Sequence, residues 1–130
     1  MATVKRFEDL QIWQEARVLA KEIVSIVQTT GLKENYKLRD QIVGSSGSIM
    51  DNIAEGFERN GNLEFRQFLS VAKASAGETR SQLYRVFDWQ YIEEKELNRL
   101  TLKCESLSKQ IAGFIAYLNK SELKGTKFQS

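Results

Sequence analysis

The sequence predicts an all-α protein, an antiparallel up-down-up-down four-helix bundle. The 130 residues contain no proline, so the strongest helix breaker is absent. Apolar residues recur at spacings of three and four through four long segments, which is the pattern of amphipathic helices. The breaks between these segments are short, and short connections favour antiparallel neighbours. We assign residues 1–120 to the bundle and residues 121–130 to a flexible polar tail.

The first predicted helix runs from about Asp9 to Thr29. Asp9 is a suitable N-cap, and Gly31 is a suitable stop. Three further apolar residues widen its apolar face on one side. The face consists of Trp13, Ala16, Ala20, Ile23 and Val27, widened by Ile12, Leu19 and Ile26.

The second predicted helix runs from about Tyr36 to Arg59. Its apolar positions keep helical spacing, but residues 44–48 read Gly-Ser-Ser-Gly-Ser, a poor helix-forming stretch because each glycine costs about 1 kcal/mol relative to alanine. Either the helix packs very closely against a neighbour here, or it bends or breaks. The periodicity continues on both sides, which favours close packing.

The third helix is predicted from Asn62, as N-cap, to about Trp89, and the fourth from about Glu93 to Asn119. Glutamates near the start of the fourth helix complement the helix dipole. The apolar face of the third helix is Phe65, Phe68, Leu69, Ala72, Ala76, Thr79, Leu83, Val86 and Phe87. The fourth presents Leu97, Leu100, Cys104, Leu107, Ile111, Phe114 and Leu118.

The composition argues against an enzyme. Histidine, the commonest general base and metal ligand, is absent. The single cysteine, Cys104, lies on an apolar helix face and reads as a buried hydrophobe. We find no phosphate-binding or dinucleotide motif and therefore predict no catalytic residue, no metal and no cofactor. No apolar run approaches the ~20 residues of a membrane span, so a soluble, cytoplasmic protein without a membrane partner is expected.

One polar cluster spans the second and third helices. Asn52, Glu55, Arg59, Ser75 and Glu78 are its members, and Glu55 and Arg59 form an i,i+4 pair. Two interpretations are open: a hydrogen-bond network that fixes helix register, or a groove that binds a partner. An enzyme using Glu55 and Glu78 would need a cleft holding both carboxylates.

Two basic stripes are candidates for nucleic-acid binding. Arg66, Lys73 and Arg80 recur every seven residues on the third helix, and Lys95, Arg99 and Lys103 every four on the fourth. Such stripes can follow a phosphate backbone, and Arg59 is added to the set. The net charge of only +2 and the nearby acids Glu64, Glu78, Glu96 and Glu105 also fit an ordinary solvated surface.

Several stretches together resemble one family, the four-helix-bundle proteins associated with intervening sequences of bacterial 23S rRNA genes. The most specific is residues 52–56, Asn-Ile-Ala-Glu-Gly, followed by Arg59. The supporting stretches are Phe7-Glu8-Asp9-Leu10, Trp13-Gln14, Ala16, Tyr36, Leu38-Arg39-Asp40-Gln41-Ile42, Ser48-Ile49-Met50-Asp51, Glu64-Phe65, Phe68-Leu69, Ala72, Ser75-Ala76 and Glu78. The resemblance covers roughly residues 7 to 118.

The resemblance implies a four-helix bundle related to the accessory proteins of diversity-generating retroelements. Those proteins are pentamers that bind nucleic acid and a reverse transcriptase, so a homo-oligomer, most simply a pentamer, is expected. The chain departs from the family pattern at Met50-Asp51, where a proline is common. It also departs at residues 43–47, where basic residues and alanine are common. The second departure weakens the case for RNA contact through the second helix.

Two functions follow from these observations. The first is a non-enzymatic, oligomeric bundle that acts as an RNA-associated accessory protein, alone or with a nucleic-acid-processing partner. The alternative is a protein-interaction scaffold that does not touch nucleic acid. Apolar side chains left exposed on the closed bundle would favour the scaffold. The candidates are Ile12, Leu19, Ile26, Tyr84 and Trp89.

Overall fold

The computed structural model describes residues 4–123 and contains four helices there, with no strand. The helices are α1 (Gln11–Thr29), α2 (Tyr36–Glu58), α3 (Asn62–Asp88) and α4 (Glu94–Leu123). Short 3-10 turns, Phe7–Asp9 and Gly31–Glu34, stand before and after α1. The predicted all-α class and the four helices are confirmed.

Each helix packs against its neighbour in the chain, and α1 closes the bundle against α4. In three helix pairs the contacting residue numbers rise along one helix and fall along the other. These pairings are antiparallel and favour the up-down-up-down order. The pairs are Ser45–Thr79 and Ser48–Ser75 for α2–α3, Asn62–Leu118 and Arg80–Glu105 for α3–α4, and Glu15–Gln110 and Glu22–Lys103 for α1–α4.

The first helix begins two residues later than predicted. Asp9 is not its N-cap, because Asp9 belongs to the preceding 3-10 turn. The N-cap position is taken by Leu10, which makes no side-chain cap and is fully buried. Burial of an apolar side chain therefore sets the start of α1, rather than capping chemistry.

The core is formed by one face of each helix. Two residues that were candidates for an exposed partner surface, Ile12 and Leu19, are 4% and 1% exposed and belong to this core. Ile26 is half-buried against the core, whereas Tyr84 and Trp89 are exposed. Cys104 is buried, as its position on the apolar face predicted.

Residues 44–48 do not break α2, which runs continuously through them. Ser45 and Ser46 are buried, but a Cβ on Gly44 or Gly47 would meet no atom within 4 Å. The closest approach lies further along the helix, at Gly56. A Cβ there would stand 2.6 Å from the Cβ of Phe68, closer than real Cβ atoms come.

The third helix begins without the predicted cap. Gly61 occupies the N-cap position, and Asn62 is the first residue of α3. The Asn62 side chain instead donates to the carbonyl of Leu118, 2.9 Å away, and accepts from Nε of Arg66 at 2.8 Å. Asn62 therefore ties the start of α3 to the end of α4.

The end of α3 is closed by a Schellman motif. The amide of Gln90 donates to the carbonyl of Phe87, and the amide of Tyr91 donates to that of Val86. Gln90 has a φ of 65° in the left-handed region, where glycine is the usual residue. The last helix, α4, then continues past the predicted Asn119 to Leu123, so Ser121 is helical and buried. Residues 124–130 of the predicted tail lie outside the described residues.

The two kinds of glycine in α2 should respond oppositely to alanine. Gly56→Ala should lower the free energy of unfolding by at least about 1 kcal/mol, because the new Cβ overpacks the α2–α3 contact. Gly44→Ala is the matched control and should raise it by roughly 0.5–1 kcal/mol through helix propensity alone. Urea unfolding followed by circular dichroism measures both. Equal effects at the two positions would contradict the close approach at Gly56.

Candidate nucleic-acid interface

A buried hydrogen-bond network joins α2 to α3, but most of its members are not the predicted ones. The hydroxyl of Ser45 donates to Oε1 of Gln82, and Oγ1 of Thr79 lies 2.9 Å from the same serine oxygen. All three side chains are buried. Their positions on facing helices fix how far α3 can slide along α2.

Two predicted members, Asn52 and Ser75, extend this network. The hydroxyl of Ser75 lies 3.0 Å from that of Ser48, and Nδ2 of Asn52 donates to the Ser48 hydroxyl and carbonyl, each at 2.8 Å. The carbonyl of Ser75 in turn accepts from Thr79 at 2.9 Å. The sequence signal for the missed members was their helical spacing on the apolar faces, where Ser45 and Thr79 both stand.

The remaining predicted members lie outside the network. Glu55 pairs with Arg59 at 2.9 Å, and both side chains are more than half exposed. Glu78 is also exposed. Because Gly56 faces Phe68, Glu78 stands about nine residues, or roughly 13 Å, further along the bundle than Glu55. The two carboxylates therefore do not share a cleft.

The predicted stripe on α3 lies along the edge that faces α4. Arg66, Lys73 and Arg80 keep one side of the helix, because seven residues are close to two full turns. The acids Glu64 and Glu78 each stand two residues before an arginine of the stripe, about 200° around the helix. The acids are therefore on the opposite side of α3 from the cations.

Contacts with α4 confirm the direction of this stripe. Arg66 donates to the side chain of Asn119, and Arg80 lies 3.7 Å from the carboxylate of Glu105. Lys73, between them, is exposed and has no ion pair with another residue of the described range 4–123.

The outer face of α4 adds two cations that the sequence analysis missed. Leu102 is 64% exposed and marks this face. Lys109 and Lys120 stand 7 and 18 residues further on, which are close to two and five full turns, and both are exposed. Lys109 and Lys120 are 11 residues apart, so they do not form a regular stripe in the sequence. Counting whole helical turns from Leu102 could have identified them.

These cations form one surface, which we call the α3–α4 face. It consists of Arg66, Lys73, Arg80, Lys109 and Lys120. Between residues 97 and 120 of α4 the sequence contains one acid, Glu105, and its carboxylate is the one beside Arg80. The α3–α4 face thus concentrates positive charge on a chain whose net charge is only +2.

The other predicted cations of α4 turn away from this face. A spacing of four residues rotates about 40° per step, so Arg99 and Lys103 reach the side of α1. There Glu22 accepts from Arg99 at 2.7 Å and from Lys103 at 3.0 Å. Partial burial raises the pKa of Glu22, but the hydrogen bonds from Arg99 and Lys103 outweigh it, and the net pKa is lowered. Hydrogen bonds to Glu96 and Glu22 raise the pKa of Arg99.

The last two predicted cations lie at the margins. Arg59 is paired with Glu55 and stacks over the ring of Phe68, 5.1 Å from its centroid, at the α2–α3 side. Lys95 continues the outer face of α4 at its first turn, seven residues before Leu102. It also lines a groove of about 950 Å³ beside α1, together with Glu96 and Arg99.

The described residues offer little catalytic chemistry. Burial raises the pKa of the Cys104 thiol to about 12, so the thiol stays protonated near neutral pH. No group of three or more cysteine, aspartate or glutamate side chains in the described part of the chain could hold a metal ion. Within residues 4–123, no helix combines the length and the apolarity that a transmembrane span requires.

The fold and the site together define a class of small four-helix bundles whose positive charge is concentrated on the outside of one helix pair. Residues 8–113 match the family of 23S rRNA-intervening sequence proteins, and the chain belongs to that family. The match confirms the resemblance seen in the sequence.

A solved structure supports the same fold. The chain is similar to a protein of the S23 ribosomal protein family from Bacteroides thetaiotaomicron, which is described as having unknown function. The two are 21% identical with a TM-score of 0.74, and the similarity covers 81% of this chain and 95% of the other. No curated protein matches the chain.

The buried network predicts a specific stability effect. Ser45→Ala should lower the free energy of unfolding by roughly 1–2 kcal/mol, because Gln82 loses its buried partner and Thr79 loses one of two, which exceeds the gain in helix propensity. Glu78→Gln is the control and should stay within about 0.5 kcal/mol of the original protein. Urea unfolding measures both variants. A neutral Ser45→Ala would show that the network does not stabilise the α2–α3 contact.

Proposed function

We propose that this protein is a non-enzymatic, nucleic-acid-associated accessory protein that binds a phosphate backbone, most simply that of RNA, through the α3–α4 face. The observation that carries the proposal is the segregation of charge on this face. Five cations share it with Glu105, the one acid of α4 between residues 97 and 120, while Glu64 and Glu78 lie on the far side of α3. Clustered lysine and arginine on one face are the electrostatic footprint of nucleic-acid binding.

Not all of the predicted cations are equally available to contact a phosphate. Arg66, Lys73 and Arg80 remain candidates, and the outer lysines of α4 join them, with Lys95 at the far end of the same helix. Arg59, Arg99 and Lys103 lie 2.7–3.0 Å from carboxylates within the chain, closer than the 3.7 Å from Arg80 to Glu105, and binding a phosphate would mean giving those partners up. We therefore assign them a minor share of the affinity.

A non-enzymatic role fits the described chemistry. The sequence lacks histidine, and the one thiol has a pKa raised to about 12. The two carboxylates that an enzyme would need in one cleft, Glu55 and Glu78, are both exposed and stand far apart along the bundle. General acid–base catalysis needs groups held together with matched pKa values.

The proposal includes self-association, most simply as the pentamer that the family resemblance implies. Val24, Tyr36 and Val43 are exposed on the α1–α2 side of the bundle and could supply apolar contact area. That side lies opposite the α3–α4 face, because the helices pack in the order α1, α2, α3, α4. An oligomer joined there would leave each basic face open and repeat it, which multiplies the affinity for one strand.

The second candidate function is a protein-interaction scaffold. Three exposed apolar side chains lie near the C-terminal end of α3 and on the neighbouring part of α4: Tyr84, Trp89 and Leu102. Exposed apolar patches mark partner surfaces. The small net charge of +2 also favours this role over strong electrostatic binding.

The test is a charge reversal on the α3–α4 face. Lys73→Glu with Lys109→Glu should weaken binding of structured RNA at least about tenfold and make the salt dependence of log Kd shallower by about 1.5–2, since two phosphate contacts are lost. Lys21→Glu with Lys37→Glu changes net charge equally on exposed positions of α1 and α2 and should leave binding nearly unchanged. Binding across a salt series, with the oligomer mass recorded on the same samples, measures this.

Two results would contradict the proposal. Equal loss of affinity in both double variants would mean that net charge, and not this face, attracts the nucleic acid. No binding by the original protein at low salt, with the oligomer intact, would favour the protein scaffold.

A further inference from the structure

A depression lies on the α3–α4 face next to the basic residues. It is open to solvent and has a volume of about 530 Å³. Its lining combines two cations, an aromatic ring and two hydroxyls. The lining residues are Lys73, Ala74, Gly77, Arg80, Ser81, Tyr84 and Ser108. We call it the Gly77 depression.

Gly77, which has no side chain, lines this space. A Cβ on Gly77 would meet no atom within 4 Å, so packing does not demand glycine here, although glycine costs the helix about 1 kcal/mol relative to alanine. Gly44 on α2 has equally open surroundings. An open glycine therefore does not by itself mark a site. Gly77 differs because Lys73, Arg80 and Tyr84 surround it.

Tyr84 continues the basic stripe of α3. It stands 18 residues after Arg66, or five full turns, and four residues after Arg80, so its ring is on the same side of the helix. Half of the residue is exposed to solvent. Along the helix axis it lies about 6 Å from Arg80 and about 16 Å from Lys73. An exposed ring thus stands at the end of a row of cations.

This combination suits one kind of ligand. Proteins bind single-stranded nucleic acid with cations that follow the backbone and with aromatic side chains on which bases stack. We propose that the Gly77 depression receives one unpaired base, stacked on Tyr84, while Arg80 and then Lys73 contact phosphates of the strand on one side of that base. This inference rests on the proposed function and makes its ligand more specific: a single strand or an unpaired loop.

A duplex satisfies this arrangement less well. Its bases are stacked on one another inside the helix, and only an unpaired base can turn its face to a side chain at the surface. A duplex would still contact the cations of the α3–α4 face through its phosphates, but Tyr84 would contribute little. The preference for a single strand should therefore depend on the ring, while the charge-driven affinity should not.

The experiment compares two probes on the full-length protein at one salt concentration: a fluorescein-labelled 15-nucleotide single-stranded RNA and the 15-base-pair duplex of the same sequence. Tyr84→Ala should weaken single-strand binding about 5- to 150-fold, the range found for loss of one stacking ring. Tyr84→Phe should keep the original affinity because it keeps the ring. Duplex binding should change by less than about twofold in either variant.

A second pair of variants tests the depression itself. Gly77→Leu fills the space beside Tyr84 and should weaken single-strand binding at least about fivefold, while helicity and melting temperature are kept or raised. Gly44→Leu is the matched control, because its surroundings are equally open but lie on the outer side of α2. Gly44→Leu should leave the affinities for the single strand and for the duplex unchanged.

The outcomes separate the two proposals. If Tyr84→Ala binds the single strand like the original protein, while reversal of Lys73 and Lys109 still weakens it, the stacking site is wrong and the basic face stands. If Gly77→Leu and Gly44→Leu weaken binding equally, the Gly77 depression is not the site that receives the base. If the original protein binds neither probe, both proposals fall.

Discussion

The close approach of α2 and α3 is the contact on which the rest of the structure depends. Gly56 lets the backbone of α2 come within a distance of Phe68 that a Cβ would forbid. The buried hydrogen bonds from Ser45 to Gln82 and Thr79 then fix the position of α3 along α2. Because buried polar groups are costly without partners, a shifted register would lose these bonds. The orientation of α3 is therefore set from its α2 side.

Because α3 is fixed against α2, the cations of its stripe point towards α4. Arg66 and Arg80 reach α4, where Asn119 and Glu105 receive them, and this contact aligns the outer lysines of α4 beside the same edge. The arginines thus help hold the helix pair together, while Lys73 and the α4 lysines extend into solvent. Charge is accumulated on one face by helix orientation rather than by a high net charge, which is consistent with an excess of only +2.

Much of this could be predicted from the sequence, since periodicity fixes helices and faces. The stripe of Arg66, Lys73 and Arg80 was found because a spacing of seven stays on one side of a helix. The ion pairs of Arg99 and Lys103 could not be predicted, because a spacing of four drifts around the helix and their partner Glu22 lies on α1, at least 77 residues away. Partners that are distant in the sequence leave no signal in the local pattern. For the same reason the sequence does not show that Gly56, and not Gly44, lies against a neighbouring helix.

The most direct test of the account is an amide NMR titration of the isotope-labelled protein with the single-stranded RNA. The account predicts that shift changes concentrate on the exposed positions of residues 62–84 and 102–120, with Lys73, Gly77, Tyr84 and Lys109 among the largest. The exposed positions of α1 and α2 should hardly move. Changes centred on α1 and α2, or on the Glu22–Arg99 edge, would contradict the assignment of the α3–α4 face as the binding surface.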